Sequence, residues 1–256
     1  MDRTSSTPGP PLRAVIFDVD GTLADTERDG HRPAFNAAFA EHDLDVAWSA
    51  AEYGRLLKIT GGHRRIAADL RSRGFGDEAD EIAARVHRTK TDLFRDRVLG
   101  GGIAPRPGLP ELVASLVDAG VRIAVATTGR RSWVEPLVDR LLGDHPIEVI
   151  VTGDDVANLK PDPEVYVRAL AALDLPASDA LAVEDSAIGL QAAAAAGLAT
   201  IVVTNGYTHD QDFAGAAAVL SGYDGPQPLL AQRCRALHRQ WWTSRATGAA
   251  ISSTQP

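Results

Sequence analysis

Seven polar residues at four places hold most of the chemistry this chain could do. Asp18 and Asp20 stand in AVIFDVDGTLADTE (14–27), Thr127 and Thr128 in VATTG, Lys160 in GDDVANLKPDPE, and Glu184 with Asp185 in AVEDSAIG. Acids grouped with one lysine and with hydroxyls can move a proton, gather a hard cation and hold an anion. In an extended chain the side-chain period is two, so Val19 points away from Asp18 and Asp20, which share one side. Gly21 then lets the chain leave at an unusual backbone angle.

These residues act together only if the fold brings them to one place. Ala14–Phe17 is an apolar run that suits a strand covered on both faces. Strand-like runs at Leu12–Phe17, Arg122–Ala126, Glu148–Val151, Ala180–Val183 and Ala199–Val203 are the frame. Helical patterns at Gly108–Ala119, Trp133–Leu142, Pro163–Leu173 and Ala187–Ala196 alternate with them. The alternation predicts parallel crossovers and an α/β fold, a three-layer Rossmann-like parallel sheet. The carboxyl ends of its strands lie along one edge, where open α/β sheets bind ligands. All four polar clusters follow such strand ends.

The rhythm breaks between the first strand and the helix at Gly108. Residues 29–104 contain amphipathic stretches at Ala34–Glu41, Ala51–Ile59, Arg65–Arg73 and Glu78–Val98 but no convincing strand. They read as an inserted all-helical cap, left through Gly100–Gly102, Pro105 and Pro107. The expected organisation is a disordered lead over 1–11, an α/β core over 12–28 and 105–225, the cap over 29–104, and a C-terminal helix and tail over 226–256. The helix in that last segment is expected at Leu229–Trp242.

DxDGT, KPDP and VEDS, in this order, resemble the signature motifs of the haloacid dehalogenase-like superfamily. The resemblance spans about residues 12–220. An insert straight after the first motif resembles the β-phosphoglucomutase and phosphoglycolate phosphatase branch, and TGGHRRI and KPDPEVY are similar to the CbbY-type sugar-phosphate phosphatases. The resemblance implies Asp18 as nucleophile and Asp20 as acid/base. It implies Mg2+ on Asp18, Asp185, the carbonyl of Asp20 and Glu184, the last directly or through water. Thr127, Thr128 and Lys160 would hold the phosphate. Each role suits phosphoryl transfer, which needs an in-line nucleophile, charge neutralisation and a proton for the leaving oxygen. One departure is Gly129, where family members often carry threonine or serine.

By the same resemblance, TGGHRRI is the cap's specificity loop. Gly61 and Gly62 free the backbone ahead of His63, Arg64 and Arg65, and an arginine can clamp a second phosphate. Glu27 and His31, at the junction of core and cap, are candidates for sugar hydroxyls. The expected partner is therefore a small phosphorylated sugar.

Composition narrows the field. A net charge of −8 argues against general nucleic-acid binding. No segment is apolar and long enough to span a membrane, and MDRTSSTPGPP lacks the apolar centre of a secretory signal. A single cysteine, Cys234, rules out an internal disulfide and fits a reducing cytosol, so a cytoplasmic monomer is expected. The leading reading is a Mg2+-dependent phosphatase acting on a sugar phosphate or bisphosphate, with xylulose 1,5-bisphosphate a reasonable first test. The alternative is a sugar phosphomutase, in which a sugar hydroxyl replaces water as acceptor. A carbon–halogen hydrolase has no use for Asp20, and a silent binding module would leave a costly cluster of acids unused.

Overall fold

The computed structural model describes residues 9–59 and 61–252. The chain divides into two compact units, Asp25–Ala104 and the pair of segments Met1–Ala24 and Pro105–Pro256.

The first unit is helical. A π-helical turn at Glu27–His31 runs directly into α1 (Arg32–Glu41). Pro33 falls at the start of α1, just past that wider turn. α2 (Ala50–Leu56) opens with a capping box, in which the Ser49 hydroxyl accepts from the Glu52 N–H and the Glu52 carboxylate accepts from the Ser49 N–H. α3 (Gly62–Ser72) follows Gly61, which sits at φ 92°. α4 (Ala79–Leu99) buries Ala79, Ala83, Val86, Lys90, Phe94 and Val98, a stripe at helical spacing. Phe35, Phe39, Trp48 and Tyr53 supply the aromatic core.

In the second unit six strands form one sheet: β1 (Ala14–Phe17), β2 (Arg122–Ala126), β3 (Ile147–Val151), β4 (Ala180–Glu184), β5 (Ala199–Val203) and β6 (Ala218–Leu220). All pairings are parallel, in the order β3-β2-β1-β4-β5-β6. β1, β4 and β5 are buried along their whole length, which explains their unbroken apolar runs. The connections contain α5 (Leu109–Asp118), α6 (Arg131–Leu142), α7 (Glu164–Leu173) and α8 (Ala187–Ala195). Alanines 124, 126, 180 and 182 keep one face of the sheet low, and Tyr166 and Leu170 of α7 with Ala192 and Ala193 of α8 pack on it.

β6 and the C-terminal helix differ from the sequence reading. β6 has only three residues and lies at the sheet edge, too short to show a pattern of its own in the surrounding alanines. α9 (Ala231–Ser252) runs past the expected end at Trp242, although Thr243, Ser244, Thr247 and Gly248 are weak helix formers. Residues 1–8, Thr60 and 253–256, which fall in the expected lead, the specificity loop and the tail, lie outside the described residues. Among the described residues no helix is long and apolar enough to cross a membrane.

The order of strands decides where a site can form. The chain steps outward from β1 through β2 to β3, then returns to the other side of β1 for β4, β5 and β6. Phe17 pairs with Val125 and with Val183, so Asp18, Thr127 and Glu184–Asp185 leave neighbouring strands almost abreast. This is the topological switch point, where ligands bind in such sheets.

Candidate active site

Asp18 stands one residue beyond β1, its N–H donating to the Val183 carbonyl at 3.0 Å. Its side chain is buried, and the chain then turns: the N–H groups of Thr22 and Leu23 both donate to the Val19 carbonyl. Gly21, at φ 80°, permits that turn. It also permits close approach, because a Cβ there would collide with the Asp185 carboxylate. Asp20 remains half-exposed beside the turn.

Lys160 binds the cluster together. Its ammonium donates to Asp18 Oδ1 at 2.6 Å, Glu184 Oε1 at 2.7 Å and the Ala126 carbonyl at 2.9 Å. The Tyr166 ring lies beneath it, with the centroid 4.8 Å away, and the Tyr166 hydroxyl donates to Glu184 Oε1 at 2.6 Å. Asp185 Oδ2 accepts from Asn205 Nδ2 at 2.7 Å. Gly189 leaves room for Glu184, whose carboxylate would collide with any Cβ at that position.

Asp18, Glu184 and Asp185 each offer an oxygen, and these atoms all lie within 4.8 Å of one another. One ammonium against three buried acids leaves excess negative charge. Burial, with Glu184 and Asp20 adding to it and Lys160 opposing, pushes the Asp18 carboxyl up to about 7. Burial, Glu184 and Asp18 push Asp185 well above the carboxylate range, against Asn205 and Arg106. Lys160 is held above its ordinary value: burial disfavours its charge, but Asp18 and Glu184 outweigh that. An all-oxygen site with surplus negative charge fits a hard divalent cation such as Mg2+.

Thr127 is buried at the end of β2, and its N–H donates to Val151. Its Oγ1 accepts from the Gly129 N–H at 3.0 Å, which orders the loop and keeps the hydroxyl proton for another acceptor. Thr128 is half-buried in the same loop. Gly129 has a steric reason, since a Cβ would collide with the Trp133 ring. The departure from threonine or serine is thus matched by a tryptophan filling that space.

In the helical unit, Glu27 accepts a hydrogen bond from the Tyr53 hydroxyl. His31 stacks on Phe94 at 3.8 Å, and its Nδ1 lies 2.7 Å from the Lys90 ammonium. Gly62 has no room for a side chain beside His87 and Phe35. His63 is half-exposed, with Nε2 3.3 Å from the Asp80 carbonyl. Arg64 and Arg65, of which the sequence reading favours Arg64 for the substrate, part company here. Arg64 is exposed. Arg65 is buried, donating to the Leu56 carbonyl at 3.0 Å and the Tyr53 hydroxyl at 3.2 Å, with its guanidinium over the Phe35 and Tyr53 rings.

Sequence reasoning missed Tyr166, Asn205, Arg106 and Lys90. Lys90 left a signal, as a lysine standing in the apolar stripe of α4 between Val86 and Phe94. Tyr166 sits inside KPDPEVY but looks like an ordinary core aromatic of α7.

The chain matches the haloacid dehalogenase-like hydrolase family over residues 12–197. It is 46% identical over 216 residues to Protein CbbY of Cereibacter sphaeroides, covering 83% of this chain and 93% of that protein. It is 33% identical to a phosphoglycolate phosphatase of Rhodospirillum rubrum, over 77% of this chain and 82% of that one. A crystal structure of a CbbY mutant from Rhodobacter sphaeroides in complex with xylulose-(1,5)-bisphosphate superposes with a TM-score of 0.71 at 46% identity, over 82% of this chain and 94% of that one. The chain therefore belongs to the haloacid dehalogenase-like hydrolases. Within that family it is CbbY-like, an enzyme of the phosphoric monoester hydrolase type.

Proposed function

We propose that this enzyme is a Mg2+-dependent phosphatase that hydrolyses a small sugar phosphate or bisphosphate through an aspartyl-phosphate on Asp18. The observation that carries this reading is the buried Lys160 ammonium bridging Asp18 and Glu184, with Asp185 beside them, at the end of β1. Asp18, Asp185, the Asp20 carbonyl and Glu184 would hold the cation. When bound, Mg2+ neutralises charge between the carboxylate and the phosphate, which would otherwise repel.

The chain's own residues supply the rest. An Asp18 oxygen attacks phosphorus, the Asp18 O–P bond forms, and the sugar O–P bond breaks. Asp20 gives its proton to the departing sugar oxygen. Water then attacks phosphorus while Asp20 takes its proton, the Asp18 O–P bond breaks, and inorganic phosphate leaves. Lys160 fixes Asp18 and meets phosphate charge, while the Thr127 hydroxyl and the Thr128 N–H donate to phosphate oxygens.

The helical unit, acting as a cap, selects the sugar. Arg64, His31 and Lys90 are its candidates for a second phosphate and the sugar hydroxyls, with Glu27, Gly61, Gly62 and His63 shaping the same loop and turn. Arg65 supports that loop from within. The CbbY structure with xylulose-(1,5)-bisphosphate makes that ketopentose bisphosphate the first substrate to test. The experiment is a panel of sugar phosphates and bisphosphates, with and without Mg2+, read by phosphate release and by sugar isomer formation. Mg2+-dependent phosphate release from a bisphosphate supports the reading. An isomer without free phosphate would replace it with a mutase, and no release from any ester would sink it.

A further inference from the structure

Arg106 lies two residues after the helical unit ends, and none of the catalytic roles above uses it. Its guanidinium is buried, which demands partners. It donates to the Gly21 carbonyl at 2.6 Å, the Val203 carbonyl at 2.8 Å and the Thr204 carbonyl at 2.6 Å. Its own N–H donates to the Leu23 carbonyl at 2.9 Å. The Tyr223 ring lies 5.6 Å from it, and the Tyr223 hydroxyl donates to the Thr22 carbonyl at 2.9 Å.

Those acceptors are not scattered. Gly21 packs against Asp185 Oδ2, and Asn205, next to Thr204, donates to that same oxygen. The Asn205 amide is itself oriented, because its Oδ1 accepts from the Tyr207 N–H at 2.8 Å. One guanidinium thus holds both segments that contact Asp185. The fork of a guanidinium can span three carbonyls in fixed directions, and an ammonium cannot reproduce that geometry.

We propose that Arg106 is a positioning residue for divalent-cation binding: by clamping the Gly21 turn and the Val203–Thr204 strand end, it aims the Asp185 carboxylate into the acidic cluster. The proposal rests on the reading of Asp185 as a cation ligand. Residues that orient ligands typically change metal affinity by about 10- to 100-fold when removed.

The test is calorimetric titration of the full chain with Mg2+ alone, for the unmodified protein, Arg106→Met and Arg106→Lys. Circular dichroism and thermal melts check the fold. A roughly 10-fold or larger rise in Mg2+ Kd for Arg106→Met is expected, with a smaller rise for Arg106→Lys. KM for an aryl phosphate at saturating Mg2+ should stay within about twofold, because Arg106 is not placed on the phosphate. Unchanged Mg2+ affinity in a folded Arg106→Met overturns the proposal. If Arg106→Met does not fold, Arg106→Lys decides alone. If neither folds, Arg106 serves stability and the proposal falls. No Mg2+ binding by the unmodified protein would overturn the cation reading, and this inference with it.

Discussion

The two units of this enzyme bury cations in different ways. In the sheet unit, Lys160 meets Asp18 and Glu184 directly, and the acids outnumber it. In the helical unit, Lys90 rests on the Phe35 and Phe94 rings and an imidazole nitrogen, while Arg65 rests on a carbonyl, a phenol and two rings. The first arrangement is a charge cluster with a negative surplus, suited to a metal and to proton transfer. The second sets its cations against aromatic rings, and the phenol that Arg65 reaches also donates to the Glu27 carboxylate. If the comparison is sound, substitutions in the sheet unit should abolish chemistry on every substrate. Substitutions in the helical unit should change which substrate is preferred.

The largest expected effect tests the sheet unit. Asp18→Asn keeps the shape and removes the nucleophile, and we expect turnover of all substrates to fall by roughly 10⁴-fold or more with the fold retained. A variant that kept more than a small percentage of activity would require direct attack by water. Next come Asp20→Asn and Asp185→Asn. Loss of general acid–base help is worth about 10²- to 10⁴-fold, so Asp20→Asn should lose rate yet keep its Mg2+ affinity. Asp185→Asn should weaken Mg2+ binding itself. Equal rescue of both variants by high Mg2+ would collapse that division of roles.

The same contrast explains what could be read from the sequence. Asp18, Asp20, Glu184 and Asp185 sit in short segments at the ends of neighbouring strands, which a parallel sheet brings together by register, while Lys160 reaches them from the loop between β3 and α7. Their grouping follows from alternation of strands and helices. Tyr166, Asn205 and Arg106 reach the site through side-chain directions that no local pattern encodes. Arg64 and Arg65 stand side by side in TGGHRRI, with Arg64 favoured for the substrate, and the packing of α3 on Tyr53 buries Arg65 and leaves Arg64 exposed. The π-helical turn at Glu27–His31 was also hidden, since its one wider turn leaves no compositional mark.

A smaller effect sharpens the reading of the helical unit. A charge-assisted hydrogen bond is worth roughly 1.5–3 kcal/mol, which is about 10- to 150-fold in kcat/KM. Arg64→Ala should lose about that much on a sugar bisphosphate and little on an aryl monophosphate. Arg65→Ala removes a buried guanidinium from the Tyr53 hydroxyl and two rings, so it should lower the melting temperature and impair both substrates alike. Kinetics of both variants on both substrates separates the roles. Equal losses from Arg64→Ala on the two substrates would remove it from recognition of a second phosphate.

The smallest effect concerns stability, and it also belongs to the helical unit. His87 lies on α4 among Lys90 of its own helix, His63 and Arg65 of α3, and His31 of the π-helical turn. Burial first, and then these neighbouring charges, push its imidazolium down to about 4 from 6.5. The folded state therefore stays neutral at His87 while the unfolded chain takes up a proton below about pH 6.5. Between those values the unfolded state binds more protons, so stability falls as pH drops through that window and levels off below about 4. The ring is only part-buried, and solvent screening reduces the effect to about 1–2 kcal/mol. His87→Gln removes the titration and keeps a polar side chain of similar reach. Thermal melts of both proteins at pH 7.5, 6.0, 5.0 and 4.5 should show a steeper decline for the unmodified enzyme between 6.5 and 4 than for His87→Gln. Parallel declines would mean that anions or solvent already neutralise the charges around His87, and the contrast between the two units would then hold only for the sheet unit's acids.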